Sequence, residues 1–195
     1  MTQALFLLAA YLLGSISFGI LMSKVFGLAD PRTVGSGNPG ATNILRSGKK
    51  AAAALTLIGD AAKGWLAVWL AMRYNLAPLW VDAVAAAVFL GHLYPLYHGF
   101  KGGKGVATLF GVLLAFSPIL GLGALAVWIV VFAIWRISSV AAMVASSTSP
   151  FVAAYLFGWN VHTPTILLLT VVLIWRHKSN IQKLLAGNEA GFGKK

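Results

Sequence analysis

The 195-residue chain is 59% hydrophobic and only 10% charged, with a mean hydropathy of +0.83. Soluble domains carry about 25% charged residues, so this composition excludes a water-soluble fold. The net charge of +11 would suggest a nucleic-acid partner in a soluble protein, but here the cations lie in short segments between apolar runs. Cations in such segments determine how the chain is oriented across a membrane, and we predict no nucleic-acid binding. The absence of cysteine excludes disulfides and thiolate metal sites.

The first three apolar runs each have the length that a helix needs to cross about 30 Å of hydrocarbon. They cover residues 5–22, 51–72 and 80–97. The amino terminus has no basic n-region, and no A-x-A-like site closes the first run. We therefore expect this run to be retained as a span and not cleaved as a signal peptide.

The later apolar region is too long for single spans. Residues 106–135 would rise about 45 Å as one helix, and we predict a break at Ser117-Pro118, because proline lacks the amide donor that a helix needs. Residues 140–175 also exceed one span, and Gly158, Asn160 and Pro164 predict a turn.

These breaks give an all-α, polytopic membrane helix bundle with seven transmembrane helices, two of them short, in one domain over residues 1–195. An alternative with five spans merges the last four helices into two. Four tryptophans fall near predicted span ends, as an aromatic belt would place them, at positions 80, 135, 159 and 175.

The positive charge is strongly asymmetric in the seven-helix arrangement. Residues 24–50, 98–105 and 136–139 and the tail from Arg176 share one side and hold thirteen of the fifteen Lys and Arg residues. The other side has only Arg73, and Lys63 lies inside the second span. The positive-inside rule then puts the charged side and the C-terminus in the cytoplasm and the N-terminus outside.

The first polar segment, residues 32–50, contains the run GSGNPGATN, followed by Arg46, Lys49 and Lys50. Glycines allow loop amides to turn inward, the hydroxyl and amide side chains donate hydrogen bonds, and the cations supply charge, so the segment suits a phosphate. The alternative is a basic loop that contacts anionic lipid headgroups. The spacing also satisfies G-x-G-x-x-G, but a dinucleotide site needs a preceding strand, and a membrane helix precedes this loop.

The second polar segment, residues 98–108, contains KGGKGVAT and leads into the fourth predicted helix. Backbone amides at the start of that helix, with Lys101 and Lys104 nearby, would form an anion site. It is not a P-loop, because His98 stands where the first glycine should be and Gly105 follows the lysine in place of Ser or Thr. The alternative is an ordinary helix start with positive-inside lysines.

The third polar segment, residues 176–189, reads RHKSNIQKLLAGNE and begins where the last helix leaves the membrane. His177 could act as a general base or as a phosphate ligand. A compatible alternative is an amphipathic helix at the membrane surface that buries Ile181, Leu184 and Leu185.

Asp60 and Lys63 lie three residues apart on one face of the second span. Ionisable groups inside a membrane are functional candidates. Their spacing also allows a mutual pair that locks helix packing, and this is the interpretation we favour. We assign structural or interfacial roles to His92 and His98, which flank the end of the third span.

Four segments resemble, in order and spacing, the signature motifs of the bacterial acyl-phosphate:glycerol-3-phosphate acyltransferases, the PlsY family. They are GSGNPGATN, the GDAAKG segment at Asp60, KGGKGVAT and RHKSNIQKLLAGNE. The resemblance covers nearly the whole chain. It implies transfer of a fatty acyl group from acyl-phosphate to the 1-hydroxyl of glycerol 3-phosphate, giving lysophosphatidic acid and phosphate, the first acylation step of bacterial phospholipid synthesis. It also implies a site on the cytoplasmic face of the bacterial cytoplasmic (inner) membrane.

The resemblance implies no cofactor and no metal ion, and independence from acyl-CoA and acyl-carrier protein. The expected partners are the two substrates, membrane lipid and, for docking on the basic face, the soluble enzyme that forms acyl-phosphate. His177 would take the proton of the glycerol hydroxyl, with Ser36 orienting that hydroxyl; alternatively, a phosphate oxygen of the donor takes the proton. The expected catalytic residues are Ser36, Arg46, Lys104 and His177, and the expected substrate-binding residues are Gly37, Asn38, Gly40, Thr42, Asn43, Lys101, Gly102, Gly103 and Asn180.

Two other classes of function compete with an enzyme. A transporter for an anionic solute would also place cations at a membrane face, but transporters usually carry internal repeats and a site at the membrane midplane. The sequence contains no convincing repeat. A non-catalytic membrane scaffold would explain the spans and basic loops, but it leaves Ser36, Asn38, Thr42 and Asn180 without a purpose.

Overall fold

The computed structural model describes residues 1–159 and 162–192, and within these ranges the chain forms ten α-helices and no strand. This confirms the predicted all-α class. The helices are α1 (Thr2–Gly14), α2 (Phe18–Val25), α3 (Ala41–Arg46), α4 (Lys50–Arg73), α5 (Pro78–Leu93), α6 (Val106–Phe116), α7 (Pro118–Trp135), α8 (Ser138–Phe157), α9 (His162–Arg176) and α10 (Lys178–Leu185), with a 3-10 turn at Leu96–His98.

Four segments among the described residues are long and apolar enough to cross a membrane: α4, α5 with the turn after it, α7 and α8. Together α1 and α2 form a bent fifth candidate, with 43° between their axes. Two further apolar helices, α6 and α9, are shorter. The chain is therefore a multi-pass helical membrane protein, and α7 turns much of its apolar surface outward, including Ile119, Leu122, Ile129, Val130 and Ile134.

The first apolar run is not the continuous helix predicted for residues 5–22, because it breaks between α1 and α2. The Ser17 hydroxyl caps α2 by accepting a hydrogen bond from the Ile20 amide at 3.5 Å. The break leaves the Ile16 carbonyl outside a helix, where the Lys63 ammonium donates to it at 2.7 Å. A cation from α4 thus satisfies a carbonyl that an apolar environment would otherwise leave unpaired.

Glycines bring α4 and α6 into close contact. A Cβ at Gly64 would lie 2.3 Å from the Thr108 carbonyl oxygen, and one at Gly111 would lie 1.9 Å from the Ala61 carbonyl oxygen. Since lipid is as apolar as a helix surface, close packing of small residues is a main source of helix association in membranes. The contact holds the middle of α4 beside the start of α6, where the second polar segment ends.

The structure confirms the predicted break at Ser117-Pro118, since α6 ends at Phe116 and α7 begins at Pro118. The two helices then fold back on each other. A Cβ at Gly121 of α7 would lie 2.5 Å from the Cα of Leu114 on α6. These helices therefore form a hairpin and not one long segment.

The predicted turn after α8 begins at Gly158, which has a φ of +69° and follows the last helical residue, Phe157. Pro164 does not lie in the turn but in the first turn of α9, where a missing amide donor costs little. Asn160 lies outside the described residues.

Two of the three polar segments contain a short helix. The first segment, predicted as loop, forms α3 before α4 begins at Lys50. The third forms α10, as its amphipathic pattern predicted, although Leu185 is exposed in the protein and Ile181 and Leu184 are only partly buried. These segments meet the second one at the same end of the bundle, around one cavity.

Candidate active site

A cavity of about 290 Å³ opens at the end of the bundle where the three polar segments meet. Nine of the thirteen residues that the sequence predicted for the site line it: Ser36, Asn38, Gly40, Thr42, Asn43, Arg46, Lys104, His177 and Asn180. The start of α6 contributes Gly105, Val106 and Ala107 to the wall. Because the first amides of a helix have no partner within the helix, this end of α6 favours an anion.

Asn43 organises the first polar segment. Its side-chain oxygen accepts a hydrogen bond from the Ser36 amide at 3.0 Å, and its side-chain nitrogen donates to the carbonyls of Pro31 and Val34 at 2.8 and 3.0 Å. Both amide hydrogens are therefore occupied, and the side chain is 5% exposed. The sequence predicted a substrate contact for Asn43, and the structure shows that this cavity-lining side chain also holds the loop that carries Ser36.

We expect Asn43→Ala to lower the free energy of unfolding by about 2 kcal/mol or more, because the substitution removes the hydrogen-bond partner of the Pro31 carbonyl and of the Ser36 amide. Thermal unfolding in detergent, followed by tryptophan fluorescence, measures the change. Gln182→Ala removes an amide from the exposed face of α10 and serves as the control. Equal melting temperatures for the two variants would contradict the loop role.

A chain of side-chain contacts joins the second and third polar segments. The Lys104 ammonium donates a hydrogen bond to the side-chain oxygen of Asn180, and the Asn180 side-chain nitrogen donates to the Glu189 carboxylate at 2.6 Å. The Ser139 hydroxyl donates to the same carboxylate oxygen at 2.7 Å. These contacts hold the Lys104 ammonium in one position at the cavity wall.

The environment of Lys104 lowers the pKa of its ammonium from its ordinary value to about 8. Burial is the main cause, and the nearby cations Lys183, Arg176 and Arg46 add to it, while Glu189 opposes the shift. Lys104 therefore carries its charge at neutral pH. An anion entering the cavity would find a cation with few competing partners.

The His177 ring is 3% exposed, and its Nδ1 lies 2.8 Å from the Leu173 carbonyl oxygen. A carbonyl only accepts, so the neutral ring donates from Nδ1 and carries its lone pair on Nε2. Burial lowers the pKa of His177 to about 4, with a further contribution from Lys104. The ring is consequently neutral at physiological pH.

The chain after α10 folds back over the cavity. The Arg46 guanidinium donates to the Ala190 carbonyl at 3.0 Å and lies 5.6 Å from the centre of the Phe192 ring. The Phe192 amide in turn donates to the Arg136 carbonyl at 2.8 Å. These contacts bring Asn188, Glu189 and Ala190 into the cavity wall.

Four predicted substrate-binding residues do not line the cavity: Gly37, Lys101, Gly102 and Gly103. The Gly37 amide donates to the Val34 carbonyl at 3.0 Å, and the Gly103 amide donates to the His92 carbonyl at 3.1 Å. Lys101 is exposed. Among the predicted amide donors that do line the wall, Gly40 also uses its amide inside the loop, toward the Asn38 carbonyl at 2.8 Å. The amides of Gly37, Gly40 and Gly103 are therefore each bonded to a carbonyl of the protein itself.

The sequence missed several residues of the wall. Ser138 and Ser139 are the first two residues of α8, and the hydroxyl of Thr42 lies 3.0 Å from that of Ser138. Their position on the charged side of the bundle was the available signal. Glu189 belongs to the third polar segment, and the sequence predicted no role for it. Asp60 and His92 also reach the cavity, although both were assigned to packing or structure.

One wall of the cavity is apolar and is formed by Leu57, Phe110, Leu125 and Trp128 from α4, α6 and α7. The site thus combines a cationic, hydrogen-bonding end with an apolar extension toward the lipid-facing helices. Within residues 1–159 and 162–192, no group of three or more His, Asp or Glu side chains is arranged to hold a metal ion.

Comparison with known proteins gives a consistent result. A family model described as glycerol-3-phosphate acyltransferase matches residues 4–187. The chain is 65% identical to the glycerol-3-phosphate acyltransferase of Methylobacillus flagellatus over the full length of both, and 57% identical to that of Cupriavidus necator over 100% of this chain and 98% of that protein.

The fold is similar to the crystal structure of PlsY (YgiH), an integral membrane glycerol 3-phosphate acyltransferase, in its glycerol 3-phosphate form. The TM-score is 0.94 at 36% identity, covering 99% of this chain and 96% of that one. The lysophosphatidic acid form of the same protein gives a TM-score of 0.92 at 35% identity, with the same coverage. The chain therefore belongs to the glycerol-3-phosphate acyltransferase family.

Proposed function

We propose that the protein transfers a fatty acyl group from acyl-phosphate to the 1-hydroxyl of glycerol 3-phosphate, forming lysophosphatidic acid and inorganic phosphate. The observation that carries the proposal is the meeting of Ser36, Arg46, Lys104 and His177, from three distant segments, around one cavity with an apolar wall. Such a cavity suits two phosphates and a fatty chain together. The reaction would be the first acylation step of phospholipid synthesis.

In the proposed reaction the glycerol hydroxyl oxygen attacks the acyl carbonyl carbon, the bond from that carbon to the phosphate oxygen breaks, and phosphate leaves. An acyl-phosphate is already activated, so the protein mainly needs to neutralise phosphate charge, bring hydroxyl and carbonyl together and stabilise the developing oxyanion. We assign phosphate charge to Arg46 and Lys104. Ser36, Asn38, Thr42 and Asn180 would orient the substrates through hydrogen bonds.

The hydroxyl proton needs an acceptor, and we assign this role to Nε2 of His177. Its Nδ1 is bound to the Leu173 carbonyl, which leaves Nε2 as the basic nitrogen. Ser36 would orient the glycerol hydroxyl toward it. The rival acceptor is an oxygen of the donor's own phosphate.

The test is phosphate release by the purified protein in lipid, with acyl-phosphate supplied in the presence and absence of glycerol 3-phosphate. Acyl-CoA serves as a parallel donor. We expect release only when both acyl-phosphate and acceptor are present. Activity only with acyl-CoA would refute the proposed donor, and no turnover by folded protein would favour an anion transporter.

We further propose seven membrane crossings, with α6 and α9 as the short ones, in a bacterial cytoplasmic membrane. The back-folded hairpin of α6 and α7 supports this number over five. The charge asymmetry supports a cytoplasmic site and an external N-terminus. The same basic face is where we would expect the soluble enzyme that forms acyl-phosphate to dock.

Single cysteines in this cysteine-free chain test the orientation directly. Asn75 follows α4 and Ser47 follows α3, and both are exposed. In intact cells, with the outer membrane permeabilised where one is present, we expect a membrane-impermeant maleimide to label Asn75→Cys and not Ser47→Cys. Both should react after cell lysis, and the reverse pattern in intact cells would invert the topology.

We propose that the apolar wall of the cavity holds the acyl chain. Leu125→Trp would fill part of this wall, and we expect it to shift the preference from hexadecanoyl-phosphate toward decanoyl-phosphate by about tenfold in kcat/KM, because apolar pockets discriminate by size. Leu122→Trp, on the exposed side of the same helix, is the matched control. An equal shift in both variants would argue against this wall.

A further inference from the structure

A buried polar cluster lies behind the glycine loop that precedes Lys104. Asp60 and Lys63 on α4 and His92 near the end of α5 are all more than nine-tenths buried. Lys63 Nζ lies 2.8 Å from Asp60 Oδ1, and His92 Nδ1 lies 3.5 Å from the same oxygen. The cluster therefore has a third member beyond the pair that the sequence suggested.

His92 connects this cluster to the glycine loop. Its carbonyl accepts the Gly103 amide at 3.1 Å. A Cβ at Gly103 would lie only 2.2 Å from His92 Nε2, so this edge of the ring abuts the residue before Lys104. One ring nitrogen thus lies toward Asp60 and the other against Gly103.

Arg176 holds the other side of the same peptide. Its guanidinium donates to the carbonyls of Gly102 and Gly103 at 3.4 and 3.2 Å and lies 5.3 Å from the centre of the Tyr94 ring. The peptide preceding Lys104 is therefore held between His92 and a cation from α9. The His92 ring therefore lies against the peptide from which the Lys104 side chain starts.

We propose that Asp60 and His92 are positioning residues. Asp60, which is paired with Lys63, holds the His92 ring in place. The ring in turn holds the Gly103 peptide, so that Lys104 points into the cavity. Ionisable side chains inside a membrane bundle are costly, and apolar residues could supply packing alone. The inference rests on the role proposed above for Lys104.

The test is a double-mutant cycle between His92 and Lys104, measured as kcat/KM for glycerol 3-phosphate. We expect His92→Ala to lower this value by about tenfold in the wild-type background but by less than about twofold in the Lys104→Ala background, because the ring acts through Lys104. Asp60→Asn should behave in the same way. A further tenfold loss in the Lys104→Ala background would overturn the proposal.

Thr170→Val is the control for general destabilisation, since this buried hydroxyl donates to the Ser146 carbonyl away from the cavity. It should lower the melting temperature without changing kcat/KM of the folded fraction. If His92→Ala does not fold, His92→Asn takes its place in the cycle. The wild-type and Lys104→Ala rates are measured first, so a failure of the role of Lys104 is seen separately from a failure of the positioning role.

A second pair of variants tests the contact itself. Gly103→Ala should clash with the His92 ring, and adding His92→Ala should restore part of the lost activity. Gly102→Ala is the matched control, because its Cβ would meet the backbone oxygen of His92 at 2.2 Å, which no side-chain change relieves. Rescue of both glycine variants, or of neither, would contradict the proposed contact.

Discussion

Replacing His177 by alanine is expected to lower kcat for acyl transfer several-hundredfold or more, while KM for glycerol 3-phosphate stays within about twofold of the wild-type value. The expectation follows from the geometry of the ring, whose Nδ1 is bound to the Leu173 carbonyl and whose Nε2 is left as the basic nitrogen. A group that acts only as the proton acceptor contributes to the transition state and little to ground-state binding. Steady-state kinetics at saturating acyl-phosphate separate kcat from KM.

The pH dependence gives a second readout of the same role. Only the neutral ring accepts a proton, and the pKa of His177 is lowered to about 4 by burial. Activity that depends on His177 should therefore be constant from neutral pH down to about pH 5 and fall as the pH passes through about 4. This acidic decrease should be absent from the residual activity of His177→Ala.

His98→Ala is the matched control, since His98 lies in the turn after α5 and outside the cavity. It should retain wild-type kcat. If His177→Ala instead changed mainly KM, the donor phosphate would be the better candidate for the proton acceptor, and His177 would be a binding residue.

The sequence predicted the helical class, the break before Pro118 and the positions of most spans, because these depend on hydrophobic run length and on a single proline. It did not predict the break between α1 and α2. The run around Ile16 contains Gly14, Ser15 and Ser17, residue types that are common at helix breaks and N-caps, but the prediction followed hydrophobic run length alone. The group that stabilises the break, Lys63, lies on another helix, so its hydrogen bond to the Ile16 carbonyl could not be predicted from the local sequence.

The same limit applies to the site. The three polar segments are rich in glycine, asparagine and lysine, a composition that suits a phosphate. This composition predicted which segments form the site. Composition could not distinguish an amide that faces the cavity from one that bonds to a carbonyl of the protein itself, as those of Gly37 and Gly103 do. Nor could it show that Asn43 binds loop backbone with both of its amide hydrogens. These assignments depend on which neighbour each group meets after folding.

Lys104→Ala is expected to lower kcat/KM for glycerol 3-phosphate by about a thousandfold, because it removes a partly buried cation from the proposed phosphate end of the cavity. Lys101→Ala is the informative comparison. Both lysines belong to the KGGK run, but Lys101 is exposed and does not line the cavity. A loss below about threefold is expected for it, since exposed charges contribute little. Equal losses in the two variants would indicate that the loop presents both lysines to substrate.

The pH profile distinguishes the charge of Lys104 from its bulk. With the pKa of Lys104 lowered to about 8 by burial, kcat/KM should be at its full value below that pH and fall as the ammonium loses its proton above it. Lys104→Arg retains a cation whose guanidinium stays protonated, so this alkaline decrease should disappear even if the rate at neutral pH is lower. An alkaline decrease that persists unchanged in Lys104→Arg would show that another group titrates there and that Lys104 does not supply the essential charge.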